Sequence, residues 1–483
     1  FRVQKCTYTT GSNFSCATFA GETGVNGGDF AHMHPLAVAV DSAGRVLVAD
    51  DWNNRVQVFD ATGAYLTTIN GAWGNFETDF RSVASVAVDK DNKVYITDKI
   101  NSRVLVFAPG GSGNWHQTNI NGFGNIDNYG VWSLGWFDNT LYAGTVNWGS
   151  GAEIWRKPDG SDWEAVVVDG LNSSSNRAID HMLAFGGRLY ASTYNDLGNG
   201  ESEGGQIWRS ATGNLGAWTA VVTRGSGAQT PDPANAEFYR LFTFNNQICA
   251  TTWAASANAP GVDAHGAEIW CSPSGNASTW TRLAEDGLGN PNNLGIMAVK
   301  SYNGNLYAGT YNYVDGTNVY RSSDGADWEP LFAEGGWGDS SNIVITAIEE
   351  YNGSLYILMN NKDHYGVTIG RRQVCDGSDW GEILGGFNNV NTLGMPGMEV
   401  HEGSLFMVTG NAKTGLRVWK TTDGDNWSVV APVGLGNPSR AYTYWDNGLL
   451  SAGGDLYLGA YTRGGMAEVW RLARSVFLPI VIR

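Results

Sequence analysis

Leu141-Tyr142-Ala143-Gly144-Thr145, followed by Glu153-Ile154-Trp155-Arg156, reads as two short strands joined by a glycine-rich loop. The pair returns as Leu189-Tyr190-Ala191-Ser192-Thr193 with Gln206-Ile207-Trp208-Arg209, then as Ile248-Cys249-Ala250-Thr251-Thr252 with Glu268-Ile269-Trp270-Cys271. It continues as Leu306-Tyr307-Ala308-Gly309-Thr310 with Asn318-Val319-Tyr320-Arg321, and as Leu355-Tyr356 with Thr368-Ile369-Gly370-Arg371. The last copies are Leu405-Phe406 with Arg417-Val418-Trp419-Lys420, and Leu456-Tyr457 with Glu468-Val469-Trp470-Arg471. A repeat of roughly 48 to 59 residues suits a four-stranded propeller blade. The expected fold is all-β: a β-propeller with seven such blades in 126–483.

Stacking the copies exposes a cross-strand pair. Where the second strand carries Tyr or Phe, the third carries Arg or Lys, in all copies but one. In that copy both positions are cysteine, Cys249 and Cys271. Cross-strand neighbours have Cβ atoms about 5 Å apart, within reach of a disulfide. Cys6 and Cys16 lie symmetrically about Gly11 in a hairpin pattern and form a second expected pair. Disulfides imply an oxidising, extracellular or cell-surface setting, and Cys375 is left over.

Residues 1–125 carry a different pattern. Pro35-Leu36-Ala37-Val38-Ala39-Val40-Asp41, Gly44-Arg45-Val46-Leu47-Val48-Ala49-Asp50 and Asn54-Arg55-Val56-Gln57-Val58-Phe59 recur as Val86–Asp89, Lys93–Asp98 and Ser102–Phe107. These segments resemble NHL repeats, a family of propeller blades. Phe1-Arg2-Val3-Gln4 is similar to the third strand of a further copy, giving two and a half such blades. In the second region, Asp159-Gly160 with Trp163 recurs as Asp324-Gly325 with Trp328, Asp376-Gly377 with Trp380, and Asp423-Gly424 with Trp427. This resembles the Asp-box (BNR) turn of sialidase-type propellers, although Asp and Gly are adjacent here. Physically, Asp accepts backbone N–H bonds, Gly takes positive φ, and Trp packs between blades. Seven blades could close alone, with the tail Val476–Ile482 as the last outer strand. The alternative, favoured by the need of the NHL-type blades for neighbours, is one large ring of nine or ten.

Lys and Arg total 30 against 47 Asp and Glu, a net charge of −17 that repels phosphate backbones and excludes nucleic acid as the expected partner. No run approaches the roughly 18 apolar residues of a membrane span. The chain opens at Phe1, inside a strand-like pattern, so a signal peptide or further protein is expected upstream.

Candidate chemistry is spread around the repeats. Asn128, Asn176, Asn235, Asn293, Asn342 and Asn391, with Ser439 last, stand just before the inner strands. They either line one mouth of the channel as a ligand-binding ring or steer the chain through an Asx-type turn, and their recurrence in each blade favours the turn. Arg177, Arg240 and Arg440 open inner strands. Sialidases clamp a substrate carboxylate with three arginines and add a Tyr–Glu nucleophile and an Asp acid. Tyr239, Tyr442, Glu237 and Asp180 lie nearby, with no spacing that singles them out, and inter-blade ion pairs are the simpler use of the arginines. Glu349, Glu350 and Glu399 could join Asp180 as paired carboxylates.

His32 and His34 lack a third metal ligand, and Asp89-Lys90-Asp91-Asn92 resembles only a fragment of a calcium loop. No cofactor is expected, with calcium the one ion left open. The long loops 195–205 and 253–266 offer binding potential. Trp148, Trp253, Tyr311, Tyr313 and Tyr365 could stack on sugar rings or pack on neighbouring loops. The leading expectation is an extracellular, non-enzymatic binding or scaffold module for a glycan or protein partner. A glycan hydrolase or lyase using channel-mouth carboxylates, and a self-assembling surface subunit, are the alternatives.

Overall fold

The structure, a computed structural model, describes residues 3–10, 13–20, 34–41, 44–59, 61–63, 65–69, 82–89, 94–100, 102–107, 115–158, 161–198, 201–223, 234–254, 265–332, 335–362, 367–372, 380–384, 392–411, 415–431, 433–436, 448–461 and 466–472. They divide into two compact units, 1–113 with 475–483, and 114–474.

In the first unit, a hairpin of Val3–Thr10 and Asn13–Ala20 sets Cys6 opposite Cys16, and the two form a disulfide. A four-stranded sheet follows (Pro35–Val40, Val46–Asp50, Arg55–Phe59, Tyr65–Ile69), then a three-stranded one (Val83–Val88, Val94–Asp98, Arg103–Phe107). Leu47, Ala49, Val56 and Val58 of the first pack with Val83, Val86 and Ile96 of the second. Asp50 organises the first sheet's hairpin, accepting from His34 N, Asn53 Nδ2 and Arg55 Nε at 2.9 Å each.

The second unit is a β-propeller whose described strands form seven four-stranded antiparallel blades. Blade 1 comprises Asn128–Phe137, Thr140–Asn147, Ile154–Lys157 and Glu164–Val167. The inner strands of blades 2 to 7 are Asn176–Phe185, Asn235–Phe244, Gly295–Tyr302, Asn342–Tyr351, Thr392–His401 and Leu449–Ala452. The core clusters join residues of neighbouring blades because a single sheet of this size cannot bury both faces. Tyr142, Ile154 and Val166 pack with Ile179, Leu189 and Trp208 between blades 1 and 2, and Tyr356 and Leu358 with Met398, Met407 and Trp419 between blades 5 and 6.

The second unit closes with a strand from outside the repeats. Blade 7 takes its outermost strand, Trp115–Gln117, from the start of the unit, and this strand pairs with Ala467–Leu472. Val131 and Leu141 of blade 1 then pack with Tyr457 and Val469 of blade 7. Within the second unit the described strands therefore run from blade 1 through blade 7 and back to blade 1. The tail 473–483 lies outside the described residues.

The aromatic–cation pairs fall in register in six blades, with the cysteine pair in the same place in the seventh: Tyr142 faces Arg156, Tyr190 Arg209, Cys249 Cys271, Tyr307 Arg321, Tyr356 Arg371, Phe406 Lys420, and Tyr457 Arg471. Cys249 and Cys271 are joined as a disulfide. The pair serves the next blade. Arg209 Nη1 donates to Gly275 O at 3.0 Å and Asn276 Oδ1 at 2.7 Å, in the turn before the outer strand of blade 3.

That turn has a common frame. Ser322 Oγ accepts from Gly325 N at 2.7 Å, and Asp324 Oδ1 accepts from Ala326 N at 2.9 Å and Asp327 N at 3.0 Å. Thr421 and Asp423 do the same in blade 6. These backbone donors lower the Asp324 carboxyl, and Asn426 leads the groups that lower Asp423. Blades 2 and 3 build the turn with hydroxyls throughout, Ser210 with Thr212 and Ser272 with Ser274. Asp159-Gly160 and Asp376-Gly377 lie outside the described residues.

Candidate functional site

The recurring asparagines sit at the end of the propeller where second-to-third-strand loops gather. Before Asn128, Asn176, Asn293 and Asn342 stands a turn with two successive left-handed residues, such as Gly287 (φ 61°) and Leu288 (φ 63°). Asn128, Asn176, Asn293 and Asn342 close this turn by donating Nδ2 to the oxygens of Gly122, Gly170, Gly287 and Gly336 at 2.7 to 3.0 Å. Their Oδ1 atoms accept from Asn147, Asn195, Asn312 and Asn361, the last residue of the second strand or the one just after it, at 2.9 to 3.1 Å. Asn235 donates to Glu268 Oε2 at 2.7 Å. These amides are hydrogen-bonded inside the blades, where they act as turn locks. Asn391, Ser439, Arg440 and Tyr442 lie outside the described residues.

The residues following those four partner asparagines form the rim: Trp148, Asp196, Tyr313 and Lys362. Trp148 is 43 % exposed and Tyr313 54 %. Arg177 bridges blades 1 and 2, donating Nη1 to Trp148 O at 2.6 Å and Nε to Asp196 O at 3.1 Å. Lys362 Nζ lies 4.5 Å from the centre of the Tyr313 ring. Beneath the rim, Trp148 meets Tyr194 edge-on at 6.2 Å, and Trp253 meets Tyr311 in the same way. Trp253 is thus half-buried between blades 3 and 4, not presented on a loop tip. The loop 195–205 is braced: Asn195 Oδ1 accepts from Glu203 N at 2.8 Å, and Leu197 N donates to Glu201 O at 2.9 Å. Residues 255–264 and Tyr365 lie outside the described residues.

A second group occupies the inner strands. Asp180 and Glu237, on the inner strands of blades 2 and 3, are both buried and influence each other's charge, as they do that of Tyr194 and Tyr239. Burial raises Asp180 well above the usual carboxyl range, with Glu237 adding to the effect; burial lifts Glu237 to about 8. Burial likewise lowers His181, helped by Arg240. Nearer the opposite face, Lys300 pairs with Glu349, and Glu399 accepts from Ser451 N at 3.2 Å. Burial, with Glu349 next in weight, raises Glu399 to about 7.

Three of the residues that the sialidase resemblance drew attention to, Asp180, Glu237 and Tyr239, are therefore neighbours. They are 3 %, 2 % and 1 % exposed, sealed from a substrate in solution. Their arginine companions do not converge: Arg177 is tied to rim carbonyls, and Arg240 lies down the inner strand of blade 3.

Metal candidates gain nothing from the geometry. Among the described residues no three His, Cys, Asp or Glu side chains are arranged to hold a metal ion. Asp89 accepts the Tyr95 hydroxyl at 2.9 Å, and the His34 ring stacks on Trp52 at 4.6 Å. Residues 90–93 and His32 lie outside the described set, as does Cys375. No described helix is long and apolar enough to cross a membrane.

Residues 33–59 match the NHL repeat family. No curated protein matches the chain. Among solved structures, the chain is similar to YCF48 bound to D1 peptide (12 % identity, covering 78 % of this chain and 98 % of that one, TM-score 0.47). It is also similar to a streptogramin B lyase (9 %, 75 % and 99 %, TM-score 0.49) and to phage phi92 endosialidase (12 %, 83 % and 74 %, TM-score 0.40). The fold assignment rests on the strand pairing above, and these likenesses carry no statement about activity.

Proposed function

We propose that the second unit is a non-enzymatic recognition module of an extracellular or cell-surface protein, and that it binds a saccharide on its loop-bearing rim. The observation that carries this reading is the pairing of solvent-facing aromatics with rigid backbones. Trp148 and Tyr313 are 43 % and 54 % exposed, while Arg177, Lys362 and the asparagine locks hold the loops that bear them. Flat apolar rings suit the C–H faces of pyranoses, and a preorganised loop loses little entropy on binding. Two disulfides support an oxidising compartment.

A hydrolase reading has one observation in its favour, the cluster of carboxyls with raised pKa. Its weakness is access, because general acid catalysis needs the carboxyl within reach of the glycosidic oxygen, and Asp180 and Glu237 are enclosed. A glycan array run beside a sugar-release assay on the purified chain tests the choice. Binding without release is expected. Release of any sugar, or capture of a protein partner with no glycan bound, overturns it.

A further inference from the structure

At two junctions of the ring an arginine of one blade reaches the turn of the next. Arg156 Nη1 donates to Asn214 Oδ1 between blades 1 and 2, and Arg209 Nη1 donates to Gly275 O at 3.0 Å and Asn276 Oδ1 at 2.7 Å between blades 2 and 3. Asn214 and Asn276 each follow the glycine of their turn, Gly213 and Gly275. Between blades 3 and 4 both halves of this contact are replaced. Cys271, held in its disulfide, stands at the arginine position, and Ala326 follows Gly325 where the other turns have asparagine. Gly325 O, the counterpart of Gly275 O, accepts instead from Trp328 Nε1 at 2.8 Å. Leu283 and Phe244 fill the place of the tyrosine beside Gly325. Beside Ala326 lies a cavity of about 600 Å³, lined by Arg282, Glu285, Leu288, Ala326, Asp327 and Trp328. That volume falls within the roughly 300 to 1,000 Å³ of small-ligand sites.

The lining suits a cation on an aliphatic stem. Arg282 is already paired, its Nη1 with Glu268 Oε1 at 2.7 Å and its Nη2 with Glu285 Oε2 at 2.5 Å. Glu268, Glu285 and Asp327 outweigh that single guanidinium, so the field in the cavity attracts positive charge. Leu288 supplies an apolar surface, and the half-buried Trp328 an aromatic ring of the kind that cations approach. The wall from blade 4 is rigid, because Asp324 Oδ1 accepts from both Ala326 N and Asp327 N. We propose that this cavity takes the side chain of an arginine from a partner polypeptide, a guest in the role that Arg156 and Arg209 fill from within at the two earlier junctions. Its stem lies on Leu288, and its guanidinium faces Asp327, Glu285 and the ring of Trp328. The exchange of Arg for Cys271 and of Asn for Ala326 at one junction is what frees the position for an outside ligand. The inference uses no residue of the rim and does not rest on the saccharide reading.

Calorimetric titration of the full chain with acetyl-glycyl-arginyl-glycinamide tests this, beside the same peptide with citrulline in place of arginine. Citrulline keeps the stem and removes the charge. Saturable binding of the arginine peptide is expected, with an affinity at least about tenfold above that of the citrulline peptide. Glu285→Gln combined with Asp327→Asn should lower it by about tenfold as well. Ala326→Arg, which supplies a guanidinium from within, should abolish it. Glu285, Ala326 and Asp327 are exposed, and asparagine occupies the Ala326 position in two other turns, so these chains should fold and melt as the parent does. No saturable binding to the parent, equal affinity for the citrulline peptide, or undiminished affinity in the Ala326→Arg chain overturns the proposal. Failure to bind any glycan defeats the function proposed above and leaves this result standing.

Discussion

A β-carbon on Gly275 would overlap the phenol oxygen of Tyr190. The residues belong to adjacent blades, and the same relation joins Tyr142 to Gly213 and Tyr356 to Gly424. Together with the arginine across the strand, the tyrosine latches the turn of the next blade. The exception explains itself. Where Cys249 and Cys271 replace the pair, Leu283 and Phe244 take up the space beside Gly325.

Gly275→Ala should therefore destabilise the chain. Gly275 has φ 65°, and the overlap adds to that backbone strain. A loss of about 2 to 4 kcal/mol is expected in denaturant unfolding. Tyr190→Ala in the same chain should recover the overlap part and leave the backbone part. Equal losses with and without Tyr190 would contradict the latch.

The cystine in blade 3 closes a loop with a sequence separation of 22. Replacing both cysteines by alanine should cost about 3 kcal/mol. Mass mapping without reductant should recover the Cys249 and Cys271 peptides linked, and free thiols at both would break the blade register.

Glu399 makes stability depend on pH. Its carboxyl is raised to about 7 from an ordinary 4.5, first by burial and then by Glu349. The folded chain holds a proton that the unfolded chain gives up, so this contribution is full below about 4.5 and lost as pH climbs through about 7. Glu399→Gln should flatten the fall in melting temperature across that window. An unchanged slope would show that another group sets it.

Ring closure predicts a new cross-link. His116 on the borrowed strand faces Arg471 across the ladder. Cysteines at both positions should form a disulfide and raise the melting temperature, which mass mapping and calorimetry would detect. Failure to cross-link in the folded chain would contradict closure by Trp115–Gln117.

The sequence made much of this legible where chemistry repeats. Tyr142 with Arg156 and Cys249 with Cys271 occupy matching places, so their register could be read from alignment of the copies. What escaped has physical reasons. Trp115–Gln117 is three residues long and stands outside any repeat. Ser210 and Ser272 hold their turns with hydroxyl oxygens, which hides them from a search for aspartate. Asn147, Asn195, Asn312 and Asn361 complete the turn locks from another strand, and only the recurrence of asparagine late in the second strand or just beyond it hinted at them. Asp180 stands at a bulge, which breaks the period of two that marks which side chains share a face.

The most direct test of the central claim is calorimetric titration of the purified chain with the best glycan from an array, beside Trp148→Ala and Tyr313→Ala. Removing a stacking aromatic is expected to cost about 1 to 2 kcal/mol, roughly a tenfold loss of affinity, with no sugar released. Unchanged affinity in both substituted chains, or turnover of the ligand, would contradict it.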